Sequence, residues 1–386
     1  MKSFLLCTLI GSSLLTPIID QLKPVENQES TIDSKVKTSR KIQLVILFDT
    51  SNSMDGLLDQ AKSRLWEIVN ESGSLRYNGQ TPTLEIAMYD YGNSGISNTN
   101  FVRKQLDFTS DLDLVSQKLF GLRTNGGDEY CGAVIKDALL ELNWSADSKD
   151  LKMIYIAGNE PFNQGPVDFK EVCVVAKSKD VIVNTIYCGE RNRGVREFWK
   201  EGATCSMGDY FNINSDREVV FIPTPYDDEI NRYSEKINTT YVTYNGLGAS
   251  RKKMQVEQDE NSLDQSPSVA NMRAKAKISS NYTNSNWDLV DAYIADSTVL
   301  FKLKNKELPE ELKGKTTEEL QAHVKLKQTE RKEIKSKISE LSVKREAFIK
   351  KKKEEANTLE TDDLGTAINQ SIMTKAIDLG FEKSVQ

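Results

Sequence analysis

The apolar positions of this chain change period several times. Leu44 to Phe48 is an unbroken apolar run, β-branched in part, and reads as a strand buried on both faces. Leu84 to Tyr91 alternates apolar and polar residues and predicts a second strand, and Phe101 to Phe108 a third at a sheet edge. Leu151 to Ala157, Val181 to Tyr187 and Tyr210 to Ile213 continue the series. Helical spacing falls between them. Leu57, Leu58, Ala61, Leu65, Ile68 and Val69 mark a helix over Asp55 to Glu71, and Leu112, Val115, Leu119 and Phe120 a shorter one. Further helices are expected over Glu129 to Leu142, Val167 to Ser178 and Val195 to Lys200. This alternation from Ile42 to Ile213 predicts an α/β fold: a doubly wound, mostly parallel sheet with helices on both faces.

Beyond the sheet the pattern turns helical and polar. Pro223 and Pro225 precede a helix over Asp227 to Ile237, expected to close the domain. Thr240 to Tyr244 reads as a short strand, Lys252 to Ser268 as a polar, mobile segment, and Val269 to Ile278 and Trp287 to Ala295 as helices. Thr316 to Ala356 is a long charged helix. Ile334, Ile338, Leu341 and Phe348 lie near heptad spacing, with Arg345 at the seam, so it forms a coiled coil or folds back on the body. Leu364 to Leu379 reads as a last short helix. The expected organisation is a signal peptide or anchor over 1–20, a tether over 21–41, an α/β domain over 42–238, a mostly helical extension over 239–315, and the long and terminal helices over 316–386.

Composition narrows the function classes. The 386 residues are 28% charged with a net charge of −6. That balance lacks the basic face that nucleic-acid binding requires. Lys2 precedes an apolar run from Phe4 to Ile19, too short for a comfortable membrane span. A charged start and an apolar centre predict export, periplasmic, envelope-associated or secreted. No small-x-small cleavage site follows, which leaves an uncleaved anchor open. Cys131, Cys173, Cys188 and Cys205 permit disulfides in an exported chain, or four buried thiols.

Candidate chemistry begins where the first apolar run stops, at Asp49-Thr50-Ser51-Asn52-Ser53. In open parallel sheets ligands gather at the carboxyl ends of the strands. A carboxylate and two hydroxyls on one tight loop suit Mg²⁺ or Mn²⁺, although Asp and Ser also cap helices without any metal. The stretch resembles the metal-ion-dependent adhesion site of the von Willebrand factor A family. Ala157 to Phe162, Val183 to Gly189 and Asn286 to Ala292 extend the resemblance to exported bacterial proteins of that family. The resemblance implies a cation on top of the sheet, completed by two later loops and left with one open position for a partner's carboxylate. Where the family's Gly-Gly loop supplies a threonine, Asp128 follows Gly126-Gly127, with Thr124 the alternative. Where the family has an aspartate, Asn159 stands, expected to act through water. The expected ligand set is therefore Asp49, Ser51, Ser53, Asp128 and Asn159.

An enzyme is disfavoured. His323 is the single histidine and lies far along the chain from the metal loops, while acid–base and nucleophilic catalysis most often use His. Two-metal hydrolysis would need more clustered carboxylates. The reading is a non-enzymatic binding module whose protein partner presents an acidic residue to the cation. The alternative is an envelope scaffold acting, or self-associating, through residues 316–356.

Overall fold

A strand buried on both faces needs layers above and below it, and both are present. In this computed structural model residues 39–98, 100–214, 219, 221–355 and 364–384 are described. The expected signal or anchor, and the tether up to residue 38, lie outside them. Seven strands belong to the α/β region: β1 (Lys41–Asp49), β2 (Leu75–Arg76), β3 (Thr83–Tyr91), β4 (Val102–Thr109), β5 (Leu151–Gly158), β6 (Ile182–Cys188) and β7 (Tyr210–Ile213). Six of them form one sheet in the order β4-β3-β1-β5-β6-β7, with only β4 antiparallel. The chain runs outward from β1 in both directions, so β1 is the switch point of a doubly wound sheet. Its Val45 and Leu47 face one core and its Leu44 and Phe48 the other, as period-2 side chains must.

Helices α1 (Asp55–Gly73) and α2 (Leu112–Gly121) cover one face, and α3 (Cys131–Glu141) and α4 (Phe169–Ser178) the other. The single short helix expected over Val195 to Lys200 is instead two turns, α5 (Arg191–Arg196) and α6 (Trp199–Thr204). They break at Phe198, whose φ of 69° cannot continue a right-handed helix.

The helical region holds the largest departures from expectation. It comprises α7 (Asp227–Asn238), α8 (Gly248–Gln265), α9 (Pro267–Ile278), α10 (Leu289–Ala295), α11 (Val299–Lys302) and α12 (Thr317–Glu355), followed by α13 (Leu364–Asp378). The segment expected to be polar and mobile is α8, an ordered helix. Its inward positions Gln255, Gln258 and Ser262 are fully buried, so its core-facing stripe is polar and invisible to a hydropathy pattern. Thr240 to Tyr244 makes one isolated bridge, Thr243 to Asp288, in place of a strand.

The long helix α12 folds back on the body. Ile334, Ile338 and Leu341 are buried in the same core as α7 and α9. Arg331 donates to Thr240 O, Asp288 and Asp291, each at 2.7 Å, with its guanidinium 4.1 Å from the Tyr241 ring centre. Arg345 pairs with Asp227 at 2.9 Å. Ile230 and Ile237 of α7 lie in this core, and α13 packs there as well. Its Ile368 and Ile372 join the core beside α1, and Ser371 Oγ reaches Asp209 at 3.1 Å. The chain then adds β8 (Glu382–Lys383), antiparallel to β2. From Ser39 onward the described residues form one compact unit.

Candidate metal centre

Asp49 is the last residue of β1, and its carboxylate stands at the switch point, fully buried. Ser51 N–H donates to its Oδ1 at 2.8 Å, a turn that brings the next side chains round beside it. Ser51 Oγ lies 3.2 Å from Ser53 Oγ, and Asn159 Nδ2 donates to Ser53 Oγ at 3.1 Å. Asp49, Ser51, Ser53 and Asn159 are therefore gathered on adjoining loops at one end of the sheet.

Asp128 is not gathered with them. It is exposed, and its carboxylate accepts from Tyr130 Oη at 3.2 Å. It does not cap the helix either, since α3 begins at Cys131 after an uncapped Tyr130. Thr124 turns aside to donate to Asp55. The neighbour of Asp128 takes the place instead. Glu129 is 5% exposed and its side chain lies against Asp49. Both carboxylates border Gly92, whose φ is +75° and where an added Cβ would stand 2.9 Å from Glu129 Cγ and 3.0 Å from Asp49 Oδ1. Only glycine adopts that backbone and leaves that space. Gly158 plays the same part opposite, where a Cβ would meet Tyr91 Oη at 2.6 Å and Asp49 Oδ2 at 3.1 Å.

Sequence reasoning missed Glu129 because it aligned the position directly after the two glycines with the expected ligand. The available signal was that two carboxylates follow Gly127, and that Glu129 lies closer to the apolar face Cys131, Ala133, Val134 that anchors α3.

Electrostatics set this pair apart. Burial, and then the charge of Glu129, pushes the Asp49 carboxyl well above its usual range. Burial likewise raises Glu129. Asp49 Oδ2 and Glu129 Oε2 are both buried with no donor from another residue to meet them, and the two carboxyls lie close enough to share a proton. The next carboxylate along, Asp90 at the end of β3, is equally buried but neutralised by Arg103 at 2.6 Å and Gln105 at 2.8 Å. Among the described residues no such cation faces Asp49. Two such carboxylate oxygens beside two hydroxyls and an amide are the donor set of a hard divalent cation. Among the described residues no three His, Cys, Asp or Glu side chains converge, so neutral oxygens would have to complete any coordination.

The surrounding loops are tied together. Asn125 N–H donates to Thr50 O at 2.9 Å, Asn93 Nδ2 to Arg123 O at 3.0 Å, and Trp199 Nε1 to Glu160 O at 2.8 Å. His323 is on α12, where burial and then Lys327 and Lys315 lower its pKa. Cys173 and Cys205 form a disulfide, and Cys131 and Cys188 are buried outside it.

The sheet order, with Asp49-x-Ser51-x-Ser53 at its switch point, gives the chain a von Willebrand factor A-like fold. No family model matches the sequence, and no curated protein matches it. Solved structures resemble it in part. Proximal thread matrix protein 1 from the mussel byssus is 14% identical over 46% of this chain and 43% of its own, with a TM-score of 0.35. A form of that protein described with zinc in its MIDAS motif is 13% identical over 47% of this chain and 43% of its own, at 0.35. BatB from Bacteroides thetaiotaomicron is 17% identical over 45% of this chain and 90% of its own, at 0.34. This chain thus spans less than half the length of the byssus protein it matches.

Proposed function

We propose that this protein is an exported, non-enzymatic binding module that captures an acidic group of a protein partner through a divalent cation, Mg²⁺ or Mn²⁺. The observation that carries the reading is the buried pair Asp49 and Glu129, each with an oxygen that no donor from another residue meets and, among the described residues, no cationic side chain between them. Asp49, Glu129, Ser51 and Ser53 would hold the cation, with Asn159 assisting through water. The cation would supply the positive charge that the pair lacks and a position that a carboxylate can enter. Of the five ligands expected from the sequence, Asp128 gives way to Glu129. With Glu129 as a ligand, a carboxylate would stand where the family has a threonine, while Asn159 stands where it has an aspartate. The Cys173–Cys205 disulfide supports an oxidising compartment and hence export.

The scaffold alternative draws less support. The seam residues of α12 that would pair copies are buried against the body. A truncation before Thr316 would therefore break the fold rather than test the partner.

The test uses the full chain, with and without Asp49→Ala, in a pull-down from envelope extract in Mg²⁺ or chelator. Capture of the same partner only with native protein and Mg²⁺, lost in Asp49→Ala that remains folded by circular dichroism, is the expected result. Equal capture in chelator would sink the reading.

A further inference from the structure

A second concave site lies beside the metal loops, between α1, α2 and α8, with a volume of ≈ 820 Å³. That is within the size range of small-molecule clefts. Its walls come from both regions of the chain: Lys62 from α1, Phe120 and Arg123 from the end of α2 and its loop, and Glu257, Gln258 and Asn261 from α8.

Gln258 shows that the cleft is unfinished. The residue is fully buried. Its Oε1 accepts from Ser116 Oγ at 2.8 Å and from Asn261 Nδ2 at 3.2 Å. In this orientation the Ser116 hydroxyl and the Asn261 amide both donate to the Gln258 oxygen. The Nε2 group is left as a buried donor with no acceptor. An orphan of that kind is costly unless a water or a ligand oxygen meets it.

The rest of the lining defines the ligand class. Phe120 is half-buried and offers a ring face, with Lys62 Nζ 5.9 Å from the ring centre. The guanidinium of Arg123 is held by the backbone oxygens of Phe120 and Leu122 at 2.8 and 2.7 Å, so it is part of the wall. Asp55, Asp59 and Glu257 are exposed acceptors around the rim, against the two cations Lys62 and Arg123. This near balance disfavours a strongly charged ligand. One aromatic face, ringed by carboxylates and side-chain amides, matches a molecule with an apolar CH face and an edge of hydroxyls, each both donor and acceptor.

We infer that the cleft between α1, α2 and α8 binds a neutral saccharide, stacked on Phe120 with a hydroxyl oxygen accepting from Gln258 Nε2. This site is independent of the cation. A partner carrying both an acidic group and a glycan would engage two adjoining sites, and the α8 helix would then serve recognition as well as packing.

The test titrates the full chain with chitotriose, maltotriose and tetraalanine, following the Gln258 side-chain amide by ¹⁵N NMR. That resonance is assigned by its loss in Gln258→Met. At least one of the two saccharides is expected to shift it. Binding should weaken about tenfold, roughly 1.4 kcal/mol, in both Phe120→Leu and Glu257→Ala. Asp49→Ala should bind the saccharide unchanged, which separates this inference from the metal reading. The inference is overturned if neither saccharide moves the amide resonance, if both variants bind as the native chain does, or if tetraalanine shifts it while the saccharides do not.

Discussion

Among the described residues, two of the buried clusters of charge are built on opposite plans. Where α8 and α9 meet α2, Arg273 and Lys277 are buried with Asp113 and Asp259. Arg273 stands 2.8 Å from Asp113 and also pairs with Asp259, and its guanidinium lies 4.7 Å from the Trp66 ring centre. Lys277 reaches Asp259 at 2.8 Å and Asn238 at 2.7 Å. Two cations meet two anions, so the charges balance within the cluster. At the carboxyl end of β1, Asp49 and Glu129 bring two anions together and no cation. Burial penalises both clusters, but only the first compensates for it from within. A balanced cluster holds helices in register, whereas an unbalanced one is finished by something that binds.

That contrast predicts opposite responses to the loss of one charge. Arg273→Met strands the buried Asp113 carboxylate, leaves Asp259 to Lys277 alone, and should destabilise the fold by about 3–5 kcal/mol in urea denaturation. The balanced cluster should also set part of the acid limit. Burial raises Asp259, but Lys277 and Arg273 outweigh it and bring its pKa down to about 2. Its folded value is therefore below the unfolded carboxylate value near ~3.9. Its contribution is full above that value and is lost as pH falls through about 2. Denaturation curves from pH 5 to pH 2 should show a fall of about 2 kcal/mol that Asp259→Asn removes. Asp49→Asn should act in the other direction. Without metal it relieves the repulsion with Glu129 and should raise stability by about 1 kcal/mol, read as a higher urea midpoint in chelator. A loss of stability there would mean that the pair is balanced by a contact within the fold.

The sheet was legible because its central strands are apolar runs, β3 alternates apolar and polar residues, and Asp49, Ser51 and Ser53 end the first run. The helical region was less so. On α8 the buried stripe is Gln255, Gln258 and Ser262, which a hydropathy pattern reads as solvent-facing. On α12 the spacing of Ile334, Ile338 and Leu341 was readable, but spacing alone does not say whether a helix meets a second copy or its own body. Arg331 and Arg345 decide it, through partners nearly a hundred residues away or more in the chain, Thr240 and Asp227. In the candidate site, Asp49, Ser51, Ser53 and Asn159 were located by position at strand ends. Glu129 was not, because adjacent carboxylates differ only in the direction the turn gives them.

Mn²⁺ titration of three full-length proteins, native, Asp128→Ala and Glu129→Ala, followed by the loss of the free-ion electron paramagnetic resonance signal, tests the central claim most directly. The account predicts one site in the native protein, the same site in Asp128→Ala, and at least about tenfold weaker binding in Glu129→Ala, equivalent to about 1.4 kcal/mol. Native-like binding by Glu129→Ala, together with its loss in Asp128→Ala, would contradict it.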